Sequence, residues 1–492
     1  MHTSIPFLPL REVSRRIHAG EISSVDYTRS LIEHINRHNP RINAICIMDD
    51  QNALREASKA DAARERGEDW GALHGIPFTV KDTFATKGMR TSFANPLTRN
   101  HIPDYDATLV ERVKNAGGIL LGKTNLPMFA FDWQSTFWGR TNNPYNELHV
   151  VGGSSGGSAA ALAAGFTPME IGSDIGGSLR IPAHYCGVVG FRPTERSLSD
   201  FGHIATPNSP KMLRSMITVG PMARSVDDVK MLLQEMWGYD ERMWQNPPVP
   251  LQSSLKAEDV PLSSLRIAYS PTIGERNVSR DTERVFSELL AKLQSLGCKL
   301  EEKAPAELHT RRGTDRVLQV WGELMTLETL PELPPFVPNW IVKPLIAAVH
   351  FASFRGGSAA LVRGLMNSER DFAKTLDARD EIVRESDSFF NAYDVWLTPS
   401  AAHAAFPHVR TGTPLTIDGV QIPYTEAHAP FACTTVLQAT PIVTLPMGMS
   451  SDGLPISISV HGKRWHDWRL LTIAEQIEGL GMGFVPPQNL LH

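Results

Sequence analysis

The sequence predicts an α/β fold in which helices cover a β-sheet. Helical and strand-like segments alternate from about residue 75 to 121, and strand-like runs return after residue 395. The 492 residues, 42% hydrophobic and 21% charged, provide a substantial core. Folding on this scale needs neither a metal nor disulfide staples. Length alone would admit roughly three domains. With no internal repeat or low-complexity segment, the chain is read as one large domain over 1–492: a core at 70–225, a variable helical layer at 235–395, and a closing part of the sheet at 395–480.

Each element has its own signal. Tyr27, Leu31 and Ile35 recur at helical spacing, with Ser24 placed to cap the start and Pro40 following the end. Ile76–Val80 reads as a short strand running into Lys81 and Asp82. Leu109, Val110 and Val113 form a helical face that stops at Gly117-Gly118, and Ile119–Leu121 starts the next strand. Gly-rich turns flank an Ala-rich helix at Ser158–Gly165, and a second turn is expected over Gly172–Ser178. Residues 235–395 read as mostly helical, with Pro-rich connections near 246–262 and 331–339. Val395–Leu397, Pro441–Pro446 and Ile456–Val460 read as strands, and Trp468–Glu478 as a closing helix.

The net charge of −5, without any basic run, gives no footprint for nucleic acid. Cys46, Cys186, Cys298 and Cys433 make neither a CxxC unit nor a zinc cluster with histidine, so no metal is expected. Reduced thiols and an N-terminus without a secretory pattern point to a cytoplasmic enzyme. No apolar stretch is long enough for an integral membrane segment. The nearest, Trp340–Phe354, is interrupted by Lys343, Pro344 and His350 and is expected to be a buried helix or a pocket wall.

The chemistry concentrates in residues 151–193. Glycine allows close backbone approaches, so Gly-Gly beside serine suggests a turn that presents N–H groups to an oxyanion. A Gly-Gly-Ser tripeptide alone is commonly just a packed turn. Here Gly152-Gly153-Ser154-Ser155-Gly156-Gly157-Ser158 precedes Gly172-Ser173-Asp174-Ile175-Gly176-Gly177-Ser178-Leu179-Arg180. Gly75-Ile76-Pro77-Phe78-Thr79-Val80-Lys81-Asp82 stands upstream, and Gly187-Val188-Val189-Gly190-Phe191-Arg192-Pro193 downstream.

This arrangement resembles the amidase signature family over about 70–225, and more loosely over 390–480. The resemblance implies a large twisted mixed sheet covered by helices on both faces, and a serine amidohydrolase that forms an acyl-enzyme and uses no cofactor. It implies Ser178 as nucleophile, Ser154 as the proton-relaying serine that follows a cis peptide bond, and Lys81 as base. It also implies an oxyanion hole from the backbone N–H groups of Ile175, Gly176, Gly177 and Ser178. The chemistry is coherent provided that burial lowers the lysine from its usual value near 10.4, because a protonated amine cannot accept a proton.

Asp82 and Asp174 are expected to orient backbone, and Arg180 to form a buried ion pair. Met128, Phe129, Phe131 and Trp133 are candidate substrate-binding residues, and their aromatic density suggests an apolar or aryl group. Phe431–Gln438 is expected to close the other side. The expected partner is a small-molecule amide, ester or carbamate substrate, and a homodimer is compatible with the sequence.

Two rival functions remain. Gly152–Gly156 fits G-x-S-x-G, the motif of a Ser-His-Asp α/β-hydrolase esterase, but His184, His203, His403, His428 and His461 show no pattern that would supply its base. The family also includes the glutaminase subunit of a tRNA-dependent amidotransferase. Phe351–Arg384 does not resemble that subunit's helical segment with paired tyrosines, which favours a free-standing hydrolase.

Overall fold

The structure, a computed structural model, describes residues 4–127, 137–204, 214–251, 260–329 and 369–491. Its strands are β1 (Ile45–Met48), β2 (Pro77–Lys81), β3 (Ile119–Thr124), β4 (Met169–Asp174), β5 (Val189–Arg192), β6 (Thr218–Ala223) and β7 (Arg266–Tyr269). They continue with β8 (Lys299–Glu302), β9 (Val395–Pro399), β10 (Leu415–Ile417), β11 (Val420–Ile422), β12 (Ile442–Met449) and β13 (Pro455–Gly462).

Among the described residues, eleven of these form one sheet in the order β1-β3-β2-β4-β6-β5-β12-β13-β9-β7-β8, and β10 and β11 form a separate hairpin. The sheet is mixed. β3, β2 and β4 run parallel, as do β9, β7 and β8, while the strands from β4 through β6, β5, β12 and β13 to β9 are antiparallel neighbours. Helices flank both faces, giving a single α/β domain. β2, β4 and β12 are buried along most of their length, as strands covered on two sides must be.

The helix Ser24–Ile42 buries the predicted stripe of Tyr27, Leu31 and Ile35. Its cap is Ser23, whose side chain accepts from the Asp26 N–H, because the Ser24 hydroxyl is spent on the Gly75 carbonyl at 2.5 Å. Pro40 lies within the last turn rather than beyond it, and the helix ends at Asn43 in the left-handed region.

The Ala-rich helix spans Gly156–Ala163 with every residue buried. Small side chains let it sit against the backbone of neighbouring segments: a Cβ on Gly157 would lie 2.4 Å from the N and O of Asn125. The middle of the chain departs from the expected helical layer. It supplies β7 and β8 to the far edge of the sheet as well as the helices Arg280–Ser295, Arg311–Thr329 and Glu369–Ala392.

All four cysteines are free thiols. No described helix is long and apolar enough to cross a membrane. The stretch Trp340–Phe354 lies outside the described residues.

Candidate active site

β2 and β4 are parallel neighbours, so their carboxyl ends open on the same side, the usual place for a ligand crevice in such sheets. Lys81 is the last residue of β2 and is 1% exposed. Its Nζ lies 2.7 Å from Ser154 Oγ and 3.1 Å from Ser173 Oγ. Burial holds the amine down to about 7, against the opposing pull of the Asp174 and Glu170 carboxylates.

Ser154 follows the cis peptide bond Gly153–Ser154. The next residue ties this segment to the second serine: the Ser155 N–H donates to the Ser178 carbonyl at 3.2 Å, and Ser155 Oγ donates to the Ser173 carbonyl at 3.3 Å. The structure thus brings Lys81, Ser154 and the Ser178 segment together. Ser178 is half-buried, whereas Ser154 and Lys81 are buried.

The turn expected over Gly172–Ser178 is shorter, because Gly172–Asp174 complete β4 and only the residues after Asp174 turn. Asp174 organises that turn. Its carboxylate accepts from the N–H of Gly177 at 2.8 Å and of Leu179 at 3.1 Å, and pairs with Arg180 through Nε at 3.0 Å and Nη2 at 3.1 Å. Burial alone would push this carboxyl up, but Arg180 and these donors outweigh burial and hold it at about 2. The Gly177 N–H is therefore occupied by Asp174, in contrast to its expected place in an oxyanion hole.

The helix Ala429–Val436 lies over the turn. Arg180 donates to Thr435 Oγ1 at 2.7 Å and to the Ala432 carbonyl at 2.9 Å, and a Cβ on Gly177, whose φ is +105°, would sit 2.5 Å from Ala432 Cβ. Phe431–Gln438 thus supplies part of this cover. Met128, Phe129, Phe131 and Trp133 lie outside the described residues.

Sequence reasoning missed several residues. Ser173, the second hydroxyl on Lys81, sits inside the Gly-Ser-Asp run but carries no signal that separates it from a turn serine. Glu170 interrupts an apolar strand, a usable signal, and burial pushes its carboxyl up to about 7. Trp321, from the helix Arg311–Thr329, donates through Nε1 to the Ile175 carbonyl at 2.9 Å, 146 positions away in sequence. Two of the histidines are engaged away from the serines: His184 lies between the His403 carbonyl and the Ser457 N–H, and His461 meets Thr398 Oγ1 at 3.0 Å.

The fold and this constellation define an enzyme of the amidohydrolase class, acting on C–N bonds. The chain belongs to the Amidase family, whose model matches residues 26–471. It is 32% identical to a glutamyl-tRNA(Gln) amidotransferase subunit of Synechococcus sp. (strain CC9605), over 94% of each chain. The structure of the corresponding glutamyl-tRNA(Gln) amidotransferase subunit from Thermotoga maritima superposes with a TM-score of 0.79 at 27% identity, covering 99% of both chains. A 6-aminohexanoate cyclic dimer hydrolase superposes with a TM-score of 0.80 at 26% identity, covering 100% of both chains.

Proposed function

We propose that the protein cleaves carboxylic amide bonds through an acyl-enzyme, with Ser178 as nucleophile, Ser154 as relay and Lys81 as base. The observation that carries this reading is a fully buried amine, held near 7, at 2.7 Å from Ser154 Oγ. At pH 7 about half of such amines are neutral. A neutral Nζ accepts the Ser154 proton, and Ser154 Oγ accepts that of Ser178 as Ser178 Oγ bonds to the substrate carbonyl carbon.

The carbonyl oxygen becomes an oxyanion, for which the N–H groups of Ile175, Gly176 and Ser178 are the proposed donors. The proton then returns through Ser154 to the leaving nitrogen, the C–N bond breaks, and an ester to Ser178 remains. Water, deprotonated by the same relay, releases the acid. Esters and carbamates would pass through the same steps.

A second reading has one specific support. The Synechococcus and Thermotoga relatives are amidotransferase subunits, so the chain as a glutaminase subunit working with partner proteins is the alternative.

Labelling with a fluorophosphonate and peptide mapping tests the scheme. Modification is expected at Ser178 and lost in Ser178→Ala. A label at Ser154 alone, or none in active protein, would overturn it. Turnover of aryl and alkyl amides by the purified chain supports the free-standing hydrolase, whereas glutamine turnover that requires added partners supports the alternative.

A further inference from the structure

We infer that Trp321 is a positioning residue, one that sets the direction of the Gly176 N–H in the oxyanion hole. The inference rests on the reading of Ser178 as nucleophile. A trans peptide unit is planar, so its carbonyl and its N–H point in opposite directions. The unit between Ile175 and Gly176 carries the Ile175 carbonyl and the Gly176 N–H. Trp321 Nε1 holds that carbonyl at 2.9 Å, toward the helix Arg311–Thr329. The Gly176 N–H is thereby turned away from this helix.

The next unit is held at both ends. Cys433 Sγ lies 3.5 Å from the Gly176 carbonyl, and the Gly177 N–H donates to Asp174 Oδ1 at 2.8 Å. Among the described residues, the Ile175–Gly176 unit has only its carbonyl held by a side chain, and it adjoins a glycine, which re-orients with the least steric hindrance. Without the indole N–H, little opposes rotation of the unit to face its carbonyl into the site. The ring also packs close against Gly176, where a Cβ would lie 2.9 Å from Trp321 Cζ2. Ile175 and Trp321 pack together against the apolar cluster around Val317, Phe431 and Val436, which fixes the indole in turn.

This gives the middle of the chain a task in the reaction although it contributes no reacting group. A donor aimed at the oxyanion acts on the transition state more than on bound substrate. Removing one such donor commonly costs 10²–10³-fold in kcat. Removing only its support should cost less, about ten- to a hundred-fold.

The test compares Trp321→Phe with replacement of Trp321 by benzothienylalanine, which keeps the indole's shape and has sulfur in place of N–H. Both are assayed on an anilide substrate beside the parent enzyme, with fluorophosphonate mapping of Ser178. Three results are expected in both variants: kcat falls about ten- to a hundred-fold, KM stays within about twofold, and the acidic limb of the pH profile stays where it was. A boronate, which forms a tetrahedral adduct, should lose affinity in parallel with kcat/KM.

Undiminished kcat in the benzothienylalanine protein overturns the inference. So does a loss expressed in KM, or one accompanied by a moved pH limb, since either marks a general structural role. In those cases a label that still maps to Ser178 leaves the hydrolase reading standing. A label that maps elsewhere overturns both.

Discussion

Replacing Lys81 by methionine tests two consequences of one number. The amine is held at about 7 instead of its ordinary 10.5. That difference corresponds to roughly 5 kcal/mol, at 1.36 kcal/mol per tenfold in proton affinity. In activity, log kcat/KM of the parent enzyme should rise with unit slope below about pH 7 and level off above it, because only the neutral amine accepts a proton. Lys81→Met should lose roughly 10²–10⁴-fold on an anilide. The loss should be smaller on a p-nitrophenyl ester, whose leaving group departs without a proton.

The same depressed value governs stability. The unfolded chain keeps the lysine proton up to 10.5, whereas the folded chain releases it near 7. Between these values the unfolded state binds more protons, so stability rises with pH. The parent should therefore gain on Lys81→Met by about 1.4 kcal/mol per pH unit, or about 3 kcal/mol from pH 8 to 10. For a chain of 492 residues the unfolding entropy is about 1 kcal/mol/K, so the two thermal midpoints should converge or cross by about 3 °C over that range. The lost contacts to Ser154 and Ser173 shift the comparison by a constant and leave this slope untouched. An activity limb near pH 10, or a midpoint difference independent of pH, would refute a buried neutral lysine.

Two further substitutions probe its surroundings. Glu170→Gln removes a carboxylate that favours the charged amine, so the acidic limb of kcat/KM should move to lower pH by less than about one unit, and a move upward would contradict the assigned electrostatics. Arg180→Met leaves Asp174 buried without its main partner and should destabilise by about 3–5 kcal/mol, read from the unfolding midpoint; an unchanged midpoint with a raised KM would make Arg180 a substrate-binding group instead.

The parts of the site legible in the sequence are those whose function restricts residue type over a short stretch. The serines and glycines of 152–158 and 172–178 stand out because a turn that brings backbone close to other groups tolerates little besides glycine. Gly157 against Asn125 and Gly177 against Ala432 show this directly. Lys81 is legible because a charged residue closes an apolar strand. Contacts that depend on tertiary placement leave no such trace: Trp321 looks like any apolar residue of a helix, and Ser173 like any turn serine. β7 and β8 are hidden because each is only four residues long, and β8 lies largely exposed at the sheet edge without an apolar run. Ser24 reads as a cap although its side chain serves the distant Gly75 carbonyl, a use that local spacing does not reveal.

The neutrality of Lys81 depends on how the buried charges around it are shared out. Asp82 is its direct neighbour in the chain, yet it lies 3.6 Å from Lys123 Nζ and accepts from the Ser92 N–H and hydroxyl. Asp174 is committed to Arg180, with Arg192 at 3.9 Å. Among the described residues, Lys81 therefore forms no ion pair of its own, and its side-chain hydrogen-bond partners are the two hydroxyls of Ser154 and Ser173. A carboxylate in direct contact would stabilise the ammonium form and raise the amine toward its ordinary value. Hydroxyls serve either protonation state, as donors to a neutral amine or acceptors from a charged one. Arg180 thus acts on the base without touching it, by pairing with Asp174, one of the two carboxylates whose pull favours the charged amine.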